Sequence, residues 1–364
     1  MVPQPPAKGR SIAVAMSGGV DSSVAALLLQ KQGWSVAGFS MRLWHWKSPG
    51  DDNRSELLET ARICELLGIE HRIVDLHDQF HRVVVKGFAA TYAQGRTPNP
   101  CPGCNRTIKF GALRKAAREL GYRWFATGHY ARVIQHADGP QLLRARDLSK
   151  DQSYVLYAIP RDALSHTIFP LGNLLKSEVR DIADNAGLPS VKRAESQDLC
   201  FVPKGDYAEL VRRLAPRAAQ PGSIRSVDGE LLGTHGGLAY YTVGQRRGLG
   251  LSASRPYYVL RLDAATNTVI VAHADQLGCQ ELDAVEMRYQ VSDRPPAGSW
   301  FRAKVRYRAS AVGATIWPLS DGRVRLALAR PLRDITPGQH VVLYRGECVI
   351  GGGIIQRTLP PGET

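Results

Sequence analysis

An apolar run, Ser11-Ile-Ala-Val-Ala-Met16, breaks into Ser17-Gly18-Gly19-Val20-Asp21-Ser22-Ser23 and passes directly into Val24-Ala-Ala-Leu-Leu-Leu29. That order reads as strand, glycine turn, helix. Two glycines let backbone amides approach a phosphate, and a helix N-terminus adds unpaired N–H donors at the positive end of its dipole. The Lys-Ser/Thr pair that a Walker A loop needs after its second glycine is absent; an aspartate and two serines stand there instead.

The alternation continues. Further strands are expected at Ser35–Leu43, His71–Leu76 and Trp124–Val133, with helices at Ser22–Gln32, Ser55–Leu67, Gln79–Ala93 and Arg106–Leu120. Gly33, Gly68 and Gly121 stand where helix ends favour glycine. Such a pattern predicts an α/β domain with a parallel sheet and ligands beyond the strands' carboxyl ends. From Leu164 to about Leu214 the chain reads as helical, interrupted by a loop containing Cys200. After Pro216 and Pro221-Gly222 it turns to short strands: Leu231–Leu232, Leu238–Thr242, Tyr257–Asp263 and Thr268–Ala272. Beyond Leu277 follow Trp300–Ala309, Gly313–Trp317, Val324–Leu328, His340–Tyr344 and Cys348–Ile355. Regularly spaced short strands predict a small β-barrel. The expected organisation is a tail over 1–10, a first domain over 11–207 with a helical insertion at about 164–194, a central domain over 208–275, and a C-terminal β-barrel over 276–360.

At 364 residues, with 47 Lys and Arg against 33 Asp and Glu, the chain carries a formal charge of +14. A polyanion such as nucleic acid is the simplest partner for that excess. No apolar signal region or bilayer-length run is present, so a cytoplasmic protein without membrane association is expected. Six cysteines in this length do not make a disulfide scaffold, and clustered ones suggest metal binding or catalysis.

The cluster is Thr97-Pro-Asn-Pro-Cys101-Pro-Gly-Cys104-Asn105. With a helix beginning near Asn105, Cys104 would sit at its N-terminus, where the dipole lowers a thiol's pKa. Cys200 is the third cysteine of interest. Two thiols meeting across a site suit a sulfur relay, whereas a lone Cys-x-x-Cys is weak support for structural zinc. Cys64, Cys279 and Cys348 read as core residues, and His71, His77 and His81 as surface or core.

Together these segments resemble the bacterial tRNA-specific 2-thiouridylases of the MnmA/TrmU type, within the N-type ATP pyrophosphatases (adenine nucleotide alpha hydrolase-like). The likeness runs from Ser11 to about Arg357. It is carried by Met16–Ser23, Phe39-Ser-Met41, Asn99-Pro with Cys104-Asn, Lys109-Phe, Thr127-Gly-His-Tyr130 and Lys150–Tyr154. Ser196-Gln-Asp-Leu-Cys-Phe201, Tyr241-Thr-x-Gly-Gln-Arg-Arg-Gly-Leu249 and Gly351-Gly-Gly extend it.

The resemblance implies ATP-dependent adenylation of O2 of the wobble uridine, then sulfur transfer giving 2-thiouridine, AMP and pyrophosphate. It implies that Ala15, Met16, Ser17, Gly18, Gly19, Val20, Asp21 and Ser22 cradle ATP, with Met41 and Gly128 at the adenosine. Cys104 would be the nucleophile and Cys200 the persulfide carrier, with a disulfide between them in the cycle. Asn99, Pro100 and Cys101 would meet the target base, and His129, Lys150, Asp151, Gln152, Arg306, Tyr307 and Gln339 the tRNA. A sulfur donor such as a cysteine desulfurase or relay protein is implied, and magnesium would offset pyrophosphate charge, with Asp21 as a contributor. The family commonly has Asn-Pro-Asp where this chain has Asn99-Pro-Cys101. Cys101, Cys104 and Cys200 are therefore also candidate ligands of an iron–sulfur cluster delivering sulfide, and zinc is a lesser possibility.

Phe301-Arg-Ala-Lys-Val-Arg-Tyr-Arg308 places Arg302, Lys304, Arg306 and Arg308 on one strand face, with Tyr307 opposite unless a bulge turns it. Such a stripe suits RNA phosphates; Gln245-Arg-Arg247 is a weaker instance. Two rival readings remain open at this stage. An adenylating amide ligase would share the Ser-Gly-Gly loop without needing Cys104 and Cys200, and an RNA-binding module would carry a vestigial ATP site.

Overall fold

The computed structural model describes residues 10–47, 50, 52–189, 199–202, 207–333 and 335–359. The expected tail, apart from Arg10, and Ser196-Gln-Asp198 lie outside the described residues.

Seven strands belong to the first half: β1 (Ser11–Ala15), β2 (Ser35–Arg42), β3 (Glu70–Asp75), β4 (Trp124–Thr127), β5 (Arg132–His136), β6 (Gly139–Leu143) and β7 (Thr167–Ile168). Five form a parallel sheet in the order β3-β2-β1-β4-β7. Ile12, Ala13 and Val14 have no exposed surface, as a central strand covered on both faces requires. The chain runs outward from β1 through β2 to β3 and then returns to β4 on the other side of β1. The crevice at this switch point, beyond the carboxyl ends of β1 and β4, is where doubly wound sheets bind ligands.

The strand expected over Trp124–Val133 is divided, because Gly128 must turn the chain against helix α1 (Val20–Lys31). A Cβ at Gly128 would lie 2.7 Å from both the Asp21 carbonyl carbon and the Ser22 nitrogen. The helix expected from Arg106 begins earlier, as Cys101–Cys104, and continues as a π-helical Asn105–Leu113 and then Arg114–Glu119. Pro102 is compatible with a first turn, and the Asn99 carboxamide oxygen accepts the Cys101 N–H at 3.2 Å.

The central region is a four-stranded sheet of β8 (Gly222–Ser226), β9 (Leu231–His235), β10 (Tyr257–Asp263) and β11 (Thr268–His273), ordered β10-β11-β8-β9. Leu238–Tyr240, expected to begin a strand, is a 3-10 turn. Six antiparallel strands close the barrel: β12 (Cys279–Tyr289), β13 (Ser299–Lys304), β14 (Val312–Pro318), β15 (Val324–Leu332), β16 (His340–Arg345) and β17 (Cys348–Leu359). Their order is β12-β15-β14-β13-β16-β17, with β17 pairing back to β12. Phe301, Ala303, Val305 and Leu326 fill the interior. The β5–β6 hairpin joins β17 through Leu143 and Cys348, so the barrel and first domain share hydrogen-bonded sheet.

Candidate active site

A cavity of about 1590 Å³ opens between the first sheet's carboxyl edge, the helical run from Cys101 and one side of the barrel. The Ser-Gly-Gly loop supplies Ser17, Gly19, Val20, Asp21 and Ser22 to its wall. Gly18 has φ +72°, and Gly19 is the N-cap of α1. Ser22 and Ser23 hydroxyls donate to the Gly19 carbonyl at 3.0 and 2.9 Å, and the Ser17 N–H donates to Ser22 Oγ at 3.3 Å, which pins the turn. Met41 and Gly128, expected at the adenosine, are not among the cavity-lining residues. Met41 lies one residue from the end of β2 with its carbonyl accepting from Asn53 Nδ2, and Gly128 packs on the first turn of α1.

Beside the loop is an ion pair that the sequence did not announce. Lys176 opens the helix Lys176–Asn185, is 8% exposed, and donates to Asp21 Oδ1 at 2.7 Å. The Tyr130 hydroxyl donates to the same oxygen at 2.8 Å. A buried cation paired with a carboxylate beside the loop has the charge an incoming polyphosphate can use. Arg180, one helical turn on, also lines the cavity.

The cysteines face the same space. Cys101 and Cys200 open onto the cavity, and Cys104 is buried in its wall. Cys200 is anchored by its neighbour Phe201, which is 2% exposed, packs against Phe80 and Phe88, and accepts the Trp46 N–H at 2.9 Å. The expectation of a dipole-lowered Cys104 pKa is overturned. The helix starts at Cys101, and burial pushes the Cys104 thiol up to about 11 and the Cys200 thiol up to about 12, with Cys101 also raised. Lys109, on the cavity wall, draws all three down. All six cysteines are free, and among the described residues no group of three or more His, Cys, Asp or Glu side chains is placed to hold a metal ion. Cys64 is buried, Cys279 and Cys348 pack on the barrel core, and His71 bonds Ser40.

The Thr97–Cys101 segment is held from the barrel. Thr97 N–H donates to the Pro337 carbonyl at 3.0 Å, and Gln339 Nε2 donates to the Thr97 carbonyl at 3.0 Å. His340 Nε2 lies 3.1 Å from the Asn99 carbonyl, with Nδ1 2.8 Å from the Tyr157 hydroxyl. This fits an Nε2–H tautomer accepting from tyrosine. Burial drives the His340 pKa down to about 4, so the ring is neutral.

The residues expected at tRNA divide into two sets. Lys150, Arg306 and Tyr307 line the cavity. Strand β13 stops at Lys304 and a turn follows, so Tyr307 shares the cavity with Arg302, Lys304, Arg306 and Arg308 instead of facing away. Arg306 also donates to the Val243 carbonyl at 2.9 Å and to the Thr336 hydroxyl. The second set lines the same cavity, but its hydrogen bonds run inward. Asp151 is 3% exposed, and its oxygens accept Arg144 Nε, the Ala145 and Ser153 N–H groups, and the Ser153 hydroxyl at 3.0–3.1 Å. Gln152 accepts the Tyr130 N–H at 2.9 Å. His129 is buried between Phe110 and Phe169, bonds Thr127 Oγ1 at 2.7 Å, and has a pKa driven well below the ordinary range by burial and Lys109.

Sequence reasoning missed Lys176, Arg144 and His340 as site residues and used Lys109 only as part of a motif. Lys176, Arg144 and His340 arrive through tertiary contacts, whereas Lys109 follows Cys104 on the same helical run.

Three family descriptions match in order: the tRNA methyl transferase HUP domain over 10–204, the tRNA methyl transferase PRC-barrel domain over 211–273, and the aminomethyltransferase beta-barrel domain over 279–355. The tRNA-specific 2-thiouridylase MnmA 1 of Caldanaerobacter subterraneus subsp. tengcongensis is 43% identical over 355 residues, spanning 95% of this chain and 98% of its own. The tRNA-specific 2-thiouridylase MnmA of Chloroflexus aurantiacus is 46% identical over 360 residues, spanning 95% and 98%. That of Moorella thermoacetica is 44% identical over 351 residues, spanning 94% and 98%. With a phosphate-type loop and paired cysteines on one cavity, and near-full-length identity of this order, the chain belongs to the MnmA family of tRNA-specific 2-thiouridylases.

Proposed function

We propose that this protein converts the wobble uridine of tRNA to 2-thiouridine, consuming ATP and releasing AMP and pyrophosphate. One observation carries the reading: the Ser17–Ser22 loop and Cys101, Cys104 and Cys200 share a single cavity. Its volume of about 1590 Å³ exceeds the roughly 300–1,000 Å³ of an ordinary small-ligand pocket, leaving room for ATP and an extruded nucleotide together. An amide ligase or vestigial-ATP module gives no reason for three thiols there.

In this reading the backbone of Ala15–Ser22 receives the phosphates and Met41 and Gly128 flank the adenosine. Lys176 and Arg180 meet the β- and γ-phosphates. Adenylation at O2 makes AMP the leaving group at C2. Magnesium carried with ATP would neutralise the departing pyrophosphate, and Asp21 offers the hard oxygen donor suited to it. Asn99, Pro100 and Cys101 present the uracil. The Cys200 persulfide's terminal sulfur attacks C2, expelling AMP. Cys104 thiolate then attacks Cys200 Sγ, so that 2-thiouridine leaves with the sulfur and a Cys104–Cys200 disulfide forms. Lys109 favours the thiolates. Among the described residues no group of three or more His, Cys, Asp or Glu side chains is placed to hold a metal ion, and the relay runs through the thiols alone.

The tRNA's phosphates would follow Lys150, Arg302, Lys304, Arg306 and Arg308, with Tyr307 available for stacking, while His129, Asp151, Gln152 and Gln339 shape the wall. No helix among the described residues is long and apolar enough to cross a membrane. A cytoplasmic location supplies tRNA, reduced thiols and a cysteine desulfurase or relay protein as sulfur donor.

The test is incubation of substrate tRNA with ATP and persulfide-loaded, anaerobically purified protein, with nucleoside mass spectrometry and iron and acid-labile sulfide analysis. Metal-free protein yielding a sulfur-for-oxygen mass gain supports the relay. A stoichiometric cluster required for activity on free sulfide refutes it.

A further inference from the structure

The relay uses Cys104 and Cys200 and leaves Cys101 idle as a nucleophile, although it opens onto the same cavity. Cys101 and Cys104 are the first and fourth residues of one helical turn. Helix geometry sets Cα atoms three residues apart at about 5 Å, within the ~4.4–6.8 Å that a disulfide spans. The pairing is held in place on both sides. The Asn99 side chain accepts the Cys101 N–H, the Cys104 N–H donates to the Pro100 carbonyl at 2.9 Å, and the barrel fixes Thr97 and Asn99. Cys200 is close enough for its ionisation to be opposed by charge on either Cys101 or Cys104.

We propose that Cys101 is a resolving thiol that regenerates Cys200 after each sulfur transfer. The proposal rests on the persulfide-relay reading. Cys101 thiolate attacks Cys104 Sγ of the Cys104–Cys200 disulfide. The Cys101–Cys104 bond forms as the Cys104–Cys200 bond breaks, and Cys200 leaves with the electron pair and takes a proton from water. The exchange conserves electrons. Cys200 is thereby free to accept another sulfane sulfur while the oxidising equivalents are parked on the Cys-x-x-Cys pair. An external dithiol then attacks Cys101, the member of that pair open to the cavity, and restores both thiols while itself becoming a disulfide. Lys109 lowers the pKa of all three thiols and so favours each thiolate in turn.

The experiment is a single turnover of full-length, persulfide-loaded protein with ATP and stoichiometric tRNA, without reductant. It is quenched with N-ethylmaleimide and mapped by peptide mass spectrometry. The native chain is expected to yield a Cys101–Cys104 disulfide and alkylated Cys200. The Cys101→Ser and Cys101→Ala variants are expected to accumulate Cys104–Cys200. With dithiothreitol present, their later turnovers should fall at least tenfold relative to their own first turnover. Native protein that accumulates Cys104–Cys200 with Cys101 alkylated overturns the resolving role and leaves the relay standing. Formation of 2-thiouridine with all three cysteines alkylated overturns the relay and the resolving role together.

Discussion

The two functional stretches of the cavity wall are built by opposite means. The Ser17–Ser23 turn is tied by its own serines to its own carbonyl, within four residues. The Thr97–Cys101 segment is held by Pro337, Gln339 and His340, some 240 residues away in sequence. The loop is thus local chemistry on a rigid sheet edge, whereas the cysteine side depends on the barrel. ATP activation and sulfur delivery should therefore be separable by mutation.

The largest separation is expected at Cys200. Cys200→Ser should lower thiolation by at least about a thousandfold, as loss of a nucleophile does, while tRNA-dependent AMP and pyrophosphate release persists. Loss of both products together would merge the two regions into one functional unit. Next comes Lys176→Met, which should reduce pyrophosphate release by about a hundredfold, the scale of removing one preorganised charge from a developing anion. Lys176→Arg should recover part of it, and persulfide loading of Cys200 should be untouched.

A smaller effect is expected at the barrel clasp. Gln339→Ala removes the donor to Thr97 and leaves that carbonyl short of a partner, costing about 1–3 kcal/mol of stability. Thiolation should fall about tenfold with little change in ATP KM, if the clasp positions the cysteine segment. Equal losses in both half-reactions would instead mark a general loss of folded protein.

Acid acts on the same clasp through stability, with no direct effect on either half-reaction expected above about pH 6.5. An unfolded histidine protonates near pH 6.5, whereas His340 in the fold stays neutral down to about pH 4. Between those values the unfolded chain binds the extra proton, so stability present above pH 6.5 is lost as pH falls toward 4. The loss is on the order of 3 kcal/mol. Denaturant melts at pH 7, 5.5 and 4.5 should show it, and His340→Gln should flatten the slope. His129, lowered in the same direction by burial, leaves a residual dependence.

What was legible follows the same division. The strand–turn–helix unit, the parallel sheet, the barrel and the Cys101-x-x-Cys104 pair are written in contiguous patterns, and the structure contains each fold element. Lys176 was not legible, because its role comes from a contact with Asp21 across 155 residues. The thiol pKa values were misread because a local dipole argument ignored burial, which only the packed chain determines. Asp151 and Gln339 are residues that the family resemblance placed at tRNA, and the hydrogen bonds seen for them run within the protein. A motif marks where a residue matters without stating through what it acts.

The clasp between Thr97 and Pro337 has a consequence for synthesis. Domains fold from the N-terminus as the chain emerges, so the sheet carrying the Ser-Gly-Gly loop can be complete well before strands β13–β17 exist. A nascent chain at that stage has its nucleotide turn but neither the support for its cysteine segment nor the basic side of the cavity. The cysteine segment gains its supports from Pro337, Gln339 and His340 only once those residues are made, so the cavity wall is the last part of the molecule to be completed.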